Sequence, residues 1–255
     1  MTGTALETAD LCVTVPGRTL VDRFSCALDA GEFIALLGGN GTGKSLLLRT
    51  LAGLRAPASG VVRLGGAPLQ SLERRQIATR LGFLPQDPDA APQGVLAESV
   101  LLGRFAHLGL LETPGAQDVA RVDAALAHVG LSALAGRELA TLSGGEQRRA
   151  AIARLLVQAP SIYLLDEPTN HLDPAQQLAI LERLKELAGS GATVIASLHD
   201  PNLALRFAHR ACLLSGEGAA TLLPIAELDA ARLGALYGVK FIEARVGAQR
   251  IVATA

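Results

Sequence analysis

The apolar run from Phe33 to Leu37 leads directly into Gly38-Gly39-Asn40-Gly41-Thr42-Gly43-Lys44-Ser45, and from Lys44 the spacing becomes helical, with Leu47, Leu51 and Leu54 on one predicted face. The octapeptide matches G-x-x-x-x-G-K-[ST] in the strand, loop and helix setting the pattern requires. Its glycines let consecutive backbone N–H groups wrap a phosphate chain at the positive end of a helix. Lys44 would reach the β- and γ-phosphates, and the Ser45 hydroxyl would ligate magnesium. A buried strand feeding such a loop calls for a parallel sheet with helices on its faces.

The rest of the chain reads consistently with that demand. Leu11, Val13 and Val15 alternate with polar neighbours, Pro16-Gly17 turns the chain, and Gly31-Glu32 precedes the buried run, so residues 9–37 read as short strands in a meander. Val61, Val62 and Leu64 suggest an edge strand closed by Gly65-Gly66. A helix over Ser71 to Arg80 and a strand from Leu81 to Leu84 follow, ending at Pro85-Gln86. Strand-like runs then vanish, and helices around Ala97 to Phe105 and Gln117 to Val129, bracketed by Pro88, Pro92, Pro114 and Gly130, predict a small helical lobe over 87–142. Beyond it, strands at Ile162 to Leu165, Thr193 to Ser197 and Ala211 to Leu214 alternate with helices at Pro174 to Ala188 and Pro201 to Phe207. Residues 239–252 read as a terminal hairpin. The expected class is α/β, a single domain over 1–255, with a catalytic core at 1–86 and 143–255 and the lobe inserted between.

Composition removes several functions. Hydrophobic residues make up 49% of the chain, ample for a core, while a net charge of −1 with six Phe, two Tyr and no Trp supplies neither a polycation nor base-stacking platforms, so nucleic acid is not an expected partner. No apolar run is long enough to span a membrane, and the acidic residues 1–10 do not resemble a secretory signal; residence in the cytosol is expected. Cys12, Cys26 and Cys212 lack metal-site spacing and are expected to be small buried hydrophobes.

Two further segments carry chemistry. Ile162 to Leu165 is an apolar strand ending in Asp166-Glu167, at the kind of sheet edge where ligands bind. There Asp166 would hold the magnesium shell, and Glu167 would orient or deprotonate a water attacking the γ-phosphate. Ser143-Gly144-Gly145-Glu146-Gln147-Arg148 opens a helix with a capping box, and its two glycines expose consecutive N–H groups as a second anion site.

With these segments in place, the chain resembles the nucleotide-binding subunit of ABC transporters, a P-loop NTPase core, over nearly its whole length. The phosphate loop, Gln86 as the Q-loop glutamine, Leu142 to Gln147 as the signature, Asp166-Glu167, Asp173 in the D-loop and His199 as the switch histidine occur in the family's order. The resemblance implies a head-to-tail homodimer with two ATP molecules, each held between the phosphate loop of one copy and Ser143, Gly144, Gly145 and Gln147 of the other. Lys44, His199 and the opposite Ser143 would hold the γ-phosphate; Ser45, Gln86 and Asp166 would set Mg2+; Glu167 would act on water; Asp173 would join the two sites. Gln86 would report nucleotide state to a polytopic membrane permease, served indirectly by a substrate-binding protein, from the cytoplasmic face of the membrane. Two positions depart from the family pattern. Val15 stands where an aromatic residue usually stacks on adenine, and Leu46 replaces the Thr that commonly follows the motif's Ser.

Thr169 to Asp173, Ser197 to Ala204 and Leu236 to Val239 resemble the ATPases of iron-siderophore, haem and cobalamin importers. That implies uptake of a metal chelate, an iron-siderophore or haem ahead of cobalamin. A soluble mechanical ATPase would need a long coiled coil or two cassettes in one chain, and a P-loop kinase or GTPase would leave Ser143 to Gln147 and His199 idle.

Overall fold

The computed structural model describes residues 4–86, 93–109, 111–247 and 249–255. Pro88, Pro92 and the start of the predicted lobe lie outside the described residues. The chain opens with β1 (Thr4–Val15) and β2 (Arg18–Asp29), antiparallel about the Pro16-Gly17 turn, followed by β3 (Phe33–Leu37) and α1 (Lys44–Leu51). β4 (Ser59–Leu64), β5 (Ala67–Pro68), α2 (Arg74–Arg80) and β6 (Leu81–Leu84) complete the first part. α3 (Leu96–Leu101), α4 (Ala116–His128) and α5 (Gly144–Gln158) come next, and after them β7 (Ile162–Leu165), α6 (Pro174–Gly189), β8 (Thr193–Ser197), α7 (Pro201–Phe207), β9 (Arg210–Leu214) and β10 (Ala220–Pro224). The chain closes with α8 (Ala230–Tyr237) and the hairpin β11 (Phe241–Val246) and β12 (Gln249–Thr254).

Two sheets organise the core. The larger has the order β10-β9-β3-β8-β7-β6, parallel from β9 to β6, with β10 antiparallel on the edge; the smaller has the antiparallel order β2-β1-β4-β5. Side-chain alternation along β3 explains its unbroken apolar run. Phe33, Ala35 and Leu37 face the cluster formed with the helices, while Ile34 and Leu36 face a second cluster shared with α1 and the smaller sheet. α1 is thereby held between the sheets through Leu47, Leu48 and Leu51.

Several local expectations change. Leu54 does not share that face: the helix ends at Leu51, Gly53 takes a positive φ of 71°, and Leu54 is 66% exposed. β1 and β2 are not short strands but run 12 residues each, accommodated by irregular register. β4 pairs on both sides, leaving the two-residue β5 as the edge. Of the cysteines only Cys212 is buried; Cys12 donates to Asp22 Oδ1 at 3.0 Å, and Cys26 lies 3.4 Å from the Thr8 hydroxyl. α5, on the core side of the predicted boundary, packs on α3 and α4 as well as on β6.

Candidate active site

Every strand-end residue singled out from the sequence sits at the same edge, because the parallel strands carry their C-terminal ends together. β3 delivers the phosphate loop, β6 delivers Gln86, β7 delivers Asp166 and Glu167, and β8 delivers His199. A cavity of about 560 Å³ opens between them, lined by Asn40, Gly41, Gly43, Lys44, Ser45, Gln86, Glu167, Asn170 and His199, with Val15, Arg18, Leu20 and Leu46 completing it.

The loop holds its shape through its own backbone. The Thr42 hydroxyl donates to the Gly39 carbonyl at 2.9 Å, and Lys44 Nζ donates to the carbonyls of Gly38 and Gly39 at 2.8 and 2.9 Å. A Cβ on Gly38 would stand 2.5 Å from the Leu214 carbonyl oxygen, so only glycine lets β3 enter the loop this close to β9. Burial pushes the Lys44 ammonium below its ordinary pKa, opposed by the Glu167 and Asp166 carboxylates. An arriving polyphosphate would supply anionic oxygens where those two carbonyls now serve.

The two acids are held in different ways. Asp166 is 1% exposed and accepts a 2.8 Å hydrogen bond from the Ser197 hydroxyl, whose oxygen in turn accepts from the Glu167 backbone N–H at 2.7 Å. Glu167 takes a positive φ of 50°, which turns its side chain off the strand line and into the cavity. There Oε2 accepts from Gln86 Nε2 at 3.1 Å and from Asn170 Nδ2 at 2.8 Å, while Oε1 lies 2.7 Å from His199 Nε2. A carboxylate ringed by three nitrogen-bearing side chains and facing a phosphate loop is placed to position a water and take its proton.

Asn170, Ser197 and Arg148 belong to this cluster, although nothing local in the sequence marks them for it. The Arg148 guanidinium, buried at the start of α5, donates to the backbone carbonyls of Pro85, Gln86, Asp166 and Glu167. One side chain therefore ties the Gln86 loop, the acidic strand end and the signature helix together. Lysine cannot reproduce that fork. Arg148→Lys should cost about 2 kcal/mol and lower the melting temperature by roughly 4–8 °C while reducing turnover. Thermal unfolding with an ATPase assay reads both, and an unchanged melting point with unchanged turnover would remove the clamp from the account.

The signature stands apart. Ser143 caps α5, accepting from the Glu146 N–H at 3.3 Å, while its own N–H and hydroxyl donate to Glu146 Oε2 at 2.7 and 2.8 Å; these bonds hold the Glu146 carboxyl below the usual carboxylate range. Ser143 and Gly144 are exposed, and neither they nor Gly145 line the cavity. Gln147 spends its amide nitrogen on the Leu139 and Leu142 carbonyls, bracing the turn before the helix. Asp173 is exposed and caps α6 through Gln176 N–H at 2.9 Å. A Cβ on Gly145 would meet the His171 carbonyl oxygen at 2.9 Å, so the signature and the loop before Asp173 touch within one copy.

Comparison with known proteins fits this arrangement. The family described as ABC transporter matches residues 21–170. The hemin import ATP-binding protein HmuV of Rhodopseudomonas palustris strain HaA2 is 41% identical over 246 residues, covering 93% of this chain and 92% of that protein. The achromobactin transport ATP-binding protein CbrD of Dickeya dadantii strain 3937 is 39% identical over 207 residues, covering 80% of this chain and 77% of its own. Among solved structures, an ABC transporter in an inward-facing conformation superposes with a TM-score of 0.83 at 27% identity, covering 99% of this chain and 97% of that one. With a phosphate loop, two strand-end acids and a histidine converging on one cavity, and likeness of this extent, the chain belongs to the ABC transporter family as one of its ATP-binding ATPase subunits.

Proposed function

We propose that this ATPase powers import of a metal chelate, haem or an iron-siderophore ahead of cobalamin, by working as a homodimer beneath a separate membrane permease. The observation that carries the dimer is that Ser143 and Gly144, the second anion site, are exposed and away from the cavity that holds Lys44 and Glu167. A second copy facing the first would bring its signature N–H groups over the open phosphate loop, so each site would be shared. ATP would then lie along Gly38 to Ser45, its γ-phosphate between Lys44, His199 and the opposing Ser143 and Gly145. Gln147 would keep that opposing turn rigid, and Asp173 would meet the other copy across the interface.

The Ser45 hydroxyl and the Gln86 amide line the cavity, and the Asp166 carboxylate follows β7 at the same sheet edge; oxygen donors with a single charge among them would suit Mg2+ arriving with a nucleotide. Bound there, Mg2+ would neutralise charge on the phosphate oxygens. Glu167 would orient the attacking water and accept its proton as the bond to the γ-phosphorus forms and the bond to the β-phosphate oxygen breaks. His199 and Gln86 both contact Glu167 in the structure, so closing of the dimer would have to exchange these bonds for bonds to nucleotide and water. Since Arg148 holds the Gln86 backbone, that exchange would be felt in α5 and at the face offered to the permease.

No described helix is long and apolar enough to cross a membrane, consistent with a peripheral subunit held at the cytoplasmic face by the permease. The cargo reading rests on relatives named for hemin and achromobactin transport. Cells lacking this chain should fail to grow on one such iron source while growing normally on ferrous salts, sugars and amino acids. Purification of the chain with a polytopic membrane protein, reconstituted with candidate chelates, identifies the substrate. A defect confined to sugar or amino-acid uptake would overturn the cargo assignment.

A further inference from the structure

We infer that Arg18 supplies the flat surface on which the nucleotide base rests, in place of the aromatic side chain that Val15 does not provide. This rests on the phosphate loop being the nucleotide site. Val15 and Arg18 flank the Pro16-Gly17 turn and both line the cavity, with Leu20 at its wall beside Gly43. Val15 offers an aliphatic surface and no π face. Arg18 is exposed, yet its guanidinium is anchored: Nε and Nη2 both donate to the Gly216 carbonyl, at 3.0 and 2.7 Å.

That anchoring gives the guanidinium a defined plane. With one edge committed to a single carbonyl, two faces remain for a ring, and the entropic cost of ordering a long side chain is met before ligand arrives. The anchor itself is tied to the phosphate loop. Gly216 has a φ of +80°, and a Cβ there would meet Arg18 Nη2, Thr42 Cα and Thr42 Cγ2, each at 3.0 Å. The guanidinium therefore sits next to the carboxyl-terminal half of the phosphate loop, at the end of the cavity built by the β1–β2 turn. A base attached to a triphosphate wrapped on Gly38 to Ser45 has this wall within reach, and among the described residues no Phe, Tyr or Trp lines the cavity to compete for it. Because every purine has a π face, stacking on a guanidinium holds adenine and guanine alike, so this site should distinguish ATP from GTP weakly.

The decisive experiment is a titration of the full chain with ATP, GTP and inorganic tripolyphosphate, each with magnesium, in wild type, Arg18→Ala, Arg18→Lys and Arg18→Ala combined with Val15→Tyr. Exposed cation–π contacts support a loss of about 2- to 5-fold in ATP and GTP affinity for Arg18→Ala, with tripolyphosphate unchanged. Arg18→Lys should lose as much, since it keeps the charge and not the plane, and Val15→Tyr should restore binding of both nucleotides. Equal loss for all three ligands with recovery in Arg18→Lys would mean that Arg18 serves the phosphates, and would overturn the proposal. So would unchanged nucleotide affinity in Arg18→Ala, or an ATP preference over GTP exceeding about tenfold in wild type. If Lys44→Ala left ATP and tripolyphosphate binding intact, the phosphate-loop site itself would be wrong, a failure separate from that of Arg18.

Discussion

Glu167→Gln is expected to bind ATP as well as the wild type or better and to hydrolyse it about 10²- to 10⁴-fold more slowly, the span that a positioned general base contributes. The substitution keeps size and leaves Lys44, Ser45 and Asp166 untouched, so binding survives. It also removes a negative charge from a group only 8% exposed and close enough to Lys44 to influence its protonation, which relieves repulsion against the γ-phosphate. What disappears is the capacity to take a proton. The neighbouring bonds adapt at small cost, because the amide oxygen still accepts one of the donors that Gln86 and Asn170 direct at Oε2. If hydrolysis reopens a closed ATP dimer, as proposed, the variant should accumulate as a dimer in ATP and Mg2+ and return to monomer once they are removed. Size-exclusion chromatography with a phosphate-release assay tests both halves, and turnover above one tenth of wild type would take Glu167 out of the role.

Much of this site is readable from sequence because each part is local. The phosphate loop is one octapeptide, and Gln86, Asp166, Glu167 and His199 each follow a short apolar strand that a parallel sheet must bury. Knowing that the strands are parallel is enough to bring their ends to one edge. What stays hidden is what depends on distant backbone. Arg148 reads as an ordinary arginine on a helix, but its partners are carbonyls, two of them 62 and 63 residues away, and carbonyls leave no mark on residue identity. Arg18 is hidden for the same reason, its acceptor being the carbonyl of Gly216 across 198 residues. Leu54 shows the opposite error, a residue at helical spacing placed past a helix that Gly53 had already ended.

Ser143→Arg should bind ATP at its own phosphate loop and yet show turnover reduced about 100-fold or more, because the arginine would intrude on the site proposed to form with a second copy. The structure predicts a secondary effect that has to be separated from the first. Ser143 caps α5 and makes a reciprocal capping box with Glu146, so the substitution also costs about 1 kcal/mol and places a cation at a positive helix end. A slightly lower melting temperature is therefore expected and does not explain lost activity, provided ATP still binds. The discriminating step is to mix this variant with Lys44→Ala, which is damaged at its own phosphate loop. In a heterodimer the phosphate loop of the Ser143→Arg copy faces an intact signature, while both lesions fall together on the other site. Random pairing makes half of the dimers mixed, each with one intact site of two, so about a quarter of the wild-type sites return. If one site can fire alone, activity should recover towards that fraction from two inactive parents. If the sites were instead complete within each copy, both lesions would stay with their own chains and mixing would restore nothing, and pure Ser143→Arg would retain its turnover because Ser143 lies outside the cavity of its own chain.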